Sequence, residues 1–139
     1  MSPTATGAIE ALLRAYYQSL ERGEPIDRFY ATDAEAGALG PVVKIGSGNG
    51  EVFTGFAAVS AEVRRVSRTF RRNRLQSRGL ITRAPGSAVG DIGWFFDQVW
   101  WSGEEDGQLF ASLTRWTGVC LRCPSGWKLL QLHVSEAMP

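Results

Sequence analysis

The feature that most limits what this chain can become is a change of period near Asn73. Before that point apolar residues recur every three or four positions; after it they alternate. Helical faces in the first half and pleated ones in the second do not make the repeating strand–helix units of a doubly wound sheet. The order predicts an α+β domain, with helices first and antiparallel strands last.

Residues 8–22 read as an amphipathic helix carrying Ile9, Leu12, Leu13, Tyr16, Tyr17 and Leu20 on one side. Thr6 is placed to cap it, and Gly23 ends it before Pro25. Pro25 suits the first turn of a short helix over residues 26–31, with Ile26, Phe29 and Tyr30 inward. A third helix, residues 56–70, has the stripe Phe56, Val59, Val63, Val66 and Phe70. Between them, Val42 to Ile45 and Val52-Phe53 make a short strand pair around a glycine-rich turn at 46–50. That turn lacks the Lys-Ser/Thr of a phosphate-binding loop, and no long strand–helix unit frames it.

Strands are predicted at 74–83, 88–101, 108–122 and 127–135. Turns fall at Pro85-Gly86-Ser87, Gly103 to Gly107 and Pro124-Ser125-Gly126. No repeat, linker or low-complexity tract divides the chain, so residues 1–139 are expected to form one domain. Hydrophobic residues at 44% are enough for a core. No apolar run approaches the roughly 18 residues of a membrane span, and the first residues lack the pattern of a secretory signal. A cytoplasmic protein without membrane contact is the expectation.

Net charge is +1, yet residues 52–83 hold eight arginines and one glutamate. Arg64, Arg65, Arg68, Arg71 and Arg72 read as a solvated helix face pairing with acids. No recognition helix, zinc finger or stacking platform accompanies them, so no nucleic-acid partner is expected. Cys120 and Cys123 have C-x-x-C spacing, but the single histidine leaves a zinc site one ligand short. The pair ends a strand and precedes a turn rather than opening a helix, where a thiol would be activated. Ordinary strand and turn cysteines are expected, with no metal and no organic cofactor.

Side chains alternate along a strand, so each strand divides into two faces. One grouping mixes aromatic with small or polar residues: Trp94, Phe96, Gln98, Ser112, Thr114, Trp116, Gly118, Gln131 and His133. The other is aliphatic, with Leu113, Val119, Leu130, Leu132 and Val134. Apolar walls with a few polar groups suit a small-molecule pocket, so the mixed face is expected to hold it. The aliphatic face is expected to meet a second copy of the chain. A β-bulge would exchange the faces beyond it. The candidate catalytic groups are His133 and Tyr16. The candidate ligand-binding residues are Tyr17, Phe29, Trp94, Phe96, Gln98, Thr114, Trp116 and Gln131. Asp97 falls on the face opposite Trp94 and Phe96, Asp91 at a strand start, and Asp27, Asp33 and Glu35 near the second helix. No carboxylate is placed among the aromatics.

The stretches Arg115-Trp116-Thr117, Gly126-Trp127 and His133-Val134-Ser135 resemble the ending of SnoaL-like domains in the nuclear-transport-factor-2-like superfamily. Gly90-Asp91-Ile92-Gly93-Trp94 resembles their G-D-x-A-W strand. Lys44-Ile45-Gly46-Ser47-Gly48, followed by Glu51 to Phe56, resembles their connection into the third helix. The ending is also similar to that of the calmodulin-dependent kinase type II association domain. The resemblance implies a curved sheet wrapped around a long N-terminal helix, a pocket between them, and dimers through the outer sheet face. The association domain carries arginines at the positions of Phe96 and Gly118, so the resemblance also implies a more apolar pocket here. It names no function, because this fold hosts isomerases, cyclases, dehydratases and non-enzymatic modules. The leading expectation is a homodimeric domain binding a small apolar or aromatic molecule. The alternatives are a cofactor-independent isomerase, cyclase or dehydratase, and an assembly domain without chemistry.

Overall fold

Thr4 opens the first element of the computed structural model, which describes residues 4–84 and 92–136. Its hydroxyl accepts from the Gly7 N–H at 3.0 Å and caps α1 (Ala5–Glu21), two residues before the expected Thr6. The apolar stripe of α1 is buried as its spacing requires: Ile9, Leu13, Tyr16, Tyr17 and Leu20 are all at most 5% exposed. The short second helix is only a 3-10 turn at Asp27–Phe29, and an unexpected four-residue α2 follows at Asp33–Ala36. Thr32 divides them. Its hydroxyl accepts from the Glu35 N–H while the Glu35 carboxylate accepts from the Thr32 N–H, a reciprocal cap that forces a fresh helix start. The third helix, α3 (Phe56–Thr69), agrees with its stripe and buries Val59, Val63 and Val66.

The strands are β1 (Val43–Ile45), β2 (Val52–Thr54), β3 (Phe70–Ser77), β4 (Ile81–Arg83), β5 (Ile92–Glu105), β6 (Gln108–Cys123) and β7 (Gly126–Glu136). They form one sheet in the order β2-β1-β7-β6-β5-β3, with β4 also paired to β5. All pairs are antiparallel except β1 with β7, so the sheet is mixed. The α+β class and the curved, unclosed sheet with three helices are as expected. The expected turn at 85–87, the strand start at 88–91 and the Gly90-Asp91 part of the motif lie outside the described residues.

Register decides which side chains share a face, and here the sequence reading needs correction. The β5–β6 hairpin closes on two residues, Asp106 and Gly107, with φ of 49° and 84°. Two positive φ values make the tight turn that matches strand twist. It sets Asp97 opposite Trp116, Phe95 opposite Gly118 and Val99 opposite Thr114. Trp116 therefore shares the inner face with Phe95, Asp97 and Val99, not with Trp94, Phe96 and Gln98. On β7 the register slips between Val119 and Cys120, leaving Leu130 as an extra residue. Leu129 points inward before the bulge, and Leu132 and Val134 after it; Gln131 and His133 are exposed.

The inner face closes over the core formed by α1, α3 and the Ile26–Tyr30 segment. Gly118 is needed there, because a Cβ would lie 2.6 Å from the Phe95 ring. The outer face keeps Ile81, Trp94, Trp100 and Leu113 between 38% and 49% exposed. No described helix is long and apolar enough to cross a membrane.

Candidate functional site

Three places in the fold carry chemistry. The first is interior. Asp97 is fully buried, and its carboxylate accepts from Tyr17 Oη at 3.0 Å, Ser77 Oγ at 3.0 Å and the Gly79 N–H at 3.3 Å. The expectation of no acid among the aromatics is overturned: the true register puts Asp97 beside Trp116 and beneath α1. Tyr17 meets Trp116 edge-on at 5.2 Å. Burial, then the Asp97 charge and hydrogen bond, push the Tyr17 hydroxyl pKa well above its usual value. The Tyr16 and Tyr30 hydroxyls share a 2.7 Å hydrogen bond, and burial raises both pKa values. The Trp116 indole donates to Thr114 Oγ1 at 2.8 Å, and Thr114 donates to the Val99 carbonyl at 2.7 Å. Each polar atom in this set has a partner, and the aromatic rings pack in contact around it.

The second is a pocket of about 450 Å³ between α3 and the inner face of the sheet. Phe70, Trp101 and Phe110 form one wall, with ring centroids 5.1 to 5.6 Å apart. The other walls are charged. Lys44 on β1 is only 8% exposed, yet its ammonium makes no hydrogen bond or ion pair with any described residue. Burial lowers the Lys44 pKa from its ordinary value, with the charges of Glu62 and Glu51 opposing that fall. Glu62 on α3 is 5% exposed and held by Arg65, Nη2 to Oε1 at 2.7 Å and Nε to Oε2 at 3.0 Å. Those hydrogen bonds raise the Arg65 pKa. Glu51 also lines the pocket, and its carboxylate fills the space that side chains at Gly46 or Gly48 would occupy. The glycine turn is thus shaped around the chain's own carboxylate, which leaves it unsuited to a phosphate.

The third is a groove of about 700 Å³ outside the cone. It runs between the alanine-rich side of α1 (Ala5, Ala8, Ala11, Ala15) and Trp127 with Phe29. The Arg28 guanidinium at its edge stacks 4.3 Å from the Phe29 ring centroid and donates to Ser19 Oγ. Lys128 donates to the Arg28 carbonyl at 2.6 Å.

The predicted site residues are therefore scattered. Tyr16, Tyr17, Thr114 and Trp116 gather in the interior, and Phe29 bridges the interior and the outer groove. Trp94, Phe96, Gln98, Gln131 and His133 stand together on the outer face, away from every cavity described above. The bulge at Leu130 is why His133 does not point inward. Lys44, Glu62 and Arg65 were missed. The signal for Lys44 was a lone cation between Val43 and Ile45 in a strand. The implied apolar pocket is also corrected: the cations come from β1 and α3 rather than from positions 96 and 118.

The remaining candidates take structural roles. Asp27 accepts from Ser60 Oγ at 2.9 Å and pairs with Arg64 at 3.0 Å. Its partial burial opposes ionisation, but the bonds from Ser60 and Arg64 carry its pKa below the usual value. Asp33 caps α3 by accepting from the Phe56 N–H at 3.0 Å. Glu35 is held low chiefly by the Thr32 N–H. Cys120 and Cys123 are buried free thiols; burial pushes the Cys120 pKa up to about 12, away from the reactive range. No group of three or more His, Cys, Asp or Glu suited to a metal occurs among the described residues.

The sequence profile of a SnoaL-like domain matches residues 9–139. No curated protein matches the sequence. Solved structures do. A proposed dehydratase of the NTF2-like family from Streptomyces avermitilis is 21% identical, with 96% of each chain covered and a TM-score of 0.84. An NTF2-like protein of unknown function from Pseudomonas putida is 20% identical, covering 100% of this chain and 91% of that one, with a TM-score of 0.77. A ketosteroid isomerase-like protein from Erwinia carotovora is 16% identical, covering 96% and 97%, with a TM-score of 0.73. At these identities the likeness is one of fold.

Proposed function

The chain belongs to the SnoaL-like domain family, and from that premise we propose that it binds a small planar molecule bearing a carboxylate in the pocket between α3 and the sheet. The observation that carries this reading is Lys44: a residue only 8% exposed whose ammonium, without a hydrogen bond to any described residue, faces an open cavity. A ligand carboxylate would supply the direct partner that this ammonium lacks. Phe70, Trp101 and Phe110 offer an apolar wall of edge-to-face rings for the rest of the ligand, and the volume is of the usual size for a small-molecule site.

Two carboxylates, Glu62 and Asp97, are closed to general-base chemistry, which leaves Glu51, Glu105 and Glu136 on the pocket walls as the acids open to it. A general base needs a carboxylate oxygen that can reach a substrate proton. Both oxygens of Glu62 are taken by Arg65, and Asp97 is sealed with three donors. The domain is further proposed to pair with a second copy through Ile81, Trp94, Trp100 and Leu113, an apolar outer face of the kind that a partner covers.

The test is calorimetric titration with benzoate, cinnamate and the matching neutral amides. Benzoate or cinnamate should bind and their amides should not. Lys44→Met should weaken the carboxylate at least tenfold, about 1.4 kcal/mol. Equal binding of acid and amide, or an unchanged Kd in Lys44→Met, would remove Lys44 from the site.

A further inference from the structure

A different cleft, of about 610 Å³, opens where the ends of α1 and α3 meet the start of β3. Arg22, Arg68, Arg71 and Arg72 line it, against two carboxylates. Both carboxylates are engaged: Glu104 pairs with Arg72 at 3.4 Å, and Glu21 accepts from the Leu75 N–H at 2.9 Å. Arg22 reaches Glu24 only at 3.8 Å. The Arg68 guanidinium has no partner among the described residues, and Arg71 has only a 3.4 Å contact to the Arg68 carbonyl.

Cations at helix C-termini ordinarily satisfy the last carbonyls. Here those carbonyls are already taken. The Gln18, Ser19 and Leu20 carbonyls accept from the N–H groups of Arg22, Glu24 and Gly23, and the Val66 and Thr69 carbonyls accept from those of Phe70 and Asp106. Arg71 keeps a weak hold on the Arg68 carbonyl and Arg72 pairs with Glu104, so the Arg68 and Arg22 guanidiniums are the ones left for something else. Two further observations point to a ligand. Ser67 Oγ is buried without a hydrogen-bond partner, the one such side-chain atom found among the described residues, and Ser67 lines this cleft. Arg72 holds a left-handed backbone, φ 54°, where the β3 register shifts between Arg71 and Arg74. Adjacent residues of a regular strand point to opposite faces. The bulge instead lets Arg71 and Arg72 line the same cleft, and strained backbone of this kind gathers at binding sites.

We propose that this cleft binds a phosphate group, either inorganic phosphate or a phosphomonoester of a small molecule. A dianion with several acceptor oxygens matches forked guanidiniums. The test is ³¹P NMR and calorimetric titration with inorganic phosphate and glycerol 3-phosphate at fixed ionic strength, alongside acetate. Saturable phosphate binding is expected. Arg68→Gln/Arg71→Gln should lose it at least tenfold. Arg14→Gln, which removes an exposed arginine paired with Glu10 on α1, should leave it unchanged. Binding no stronger than that of acetate, or equal loss in Arg14→Gln, would overturn the proposal. So would a 20-nucleotide single strand that binds through the same arginines while phosphate does not, since that would make the surface a nucleic-acid contact. Circular dichroism of each variant separates lost binding from lost fold.

Discussion

Asp97 and Lys44 are both charged side chains taken out of water, and the fold treats them in opposite ways. Asp97 sits at the centre of the inner face with a tyrosine, a serine and a backbone N–H on its oxygens. Lys44 sits one strand from the sheet edge with two carboxylates in its neighbourhood and none in hydrogen-bonding contact. A buried polar group that is fully bonded holds the structure together, whereas one left unbonded costs stability that only a partner can recover. In this molecule the satisfied charge marks architecture and the unsatisfied one marks the place to look for a ligand.

The sharpest way to break that contrast is to remove each charge. Asp97→Ala would strand three donors in the core, and a loss of about 3 kcal/mol or more is expected in urea unfolding. Lys44→Met should act with the opposite sign, leaving stability unchanged or raising it by about 1 kcal/mol, because an apolar chain replaces an unpaired ion. A loss above 1 kcal/mol in Lys44→Met would show that the lysine has a structural partner. Thr32→Ala removes the reciprocal cap between the 3-10 turn and α2, with an expected cost of about 1 kcal/mol by the same measurement.

Proton linkage sharpens the contrast further. The folded Lys44 pKa lies below its ordinary 10.5, so over that interval the unfolded chain holds a proton that the folded chain has released. Stability should rise with pH across it, and Lys44→Met should abolish that rise. At the acid end stability again rises with pH, here because a stabilising charge is gained. Asp27 is depressed below 3.8, so its contribution is complete above that value and fades as pH falls through the folded value. Arg64→Gln should flatten the acid limb, by the smallest margin of these effects, because the Arg64 side chain is 65% exposed and its ion pair is screened.

The helices were legible because α1 and α3 carry their own periodicity and lie across one core. The three long strands β5, β6 and β7 were legible for the same reason, whereas the one strand expected at 74–83 is two, β3 starting at Phe70 and β4 at Ile81. The faces were not, and the cause is two local devices. Asp106-Gly107 is a strong signal for a two-residue hairpin turn, and taking it as the turn would have paired Asp97 with Trp116 from the sequence alone. The bulge at Leu130 left no such mark. It falls in Leu129-Leu130-Gln131-Leu132, where an aliphatic residue fits on either face, so parity alone sends His133 inward. Lys44 was hidden differently. Its importance comes from what fails to reach it, and a missing contact has no pattern in one dimension.

The five tryptophans give the molecule a second use for this geometry. Trp94 and Trp100 report on the outer face, Trp101 on the charged pocket, Trp127 on the groove beside α1, and Trp116 on the sealed interior. The outer face, the charged pocket and the groove beside α1 thus each carry an intrinsic fluorophore, while the arginine-lined cleft has none in its lining. Quenching by iodide should reach Trp94 and Trp100 in a monomer and lose them on pairing. A ligand against Phe70 and Phe110 should instead shift the emission of Trp101 while leaving Trp116 dark to both.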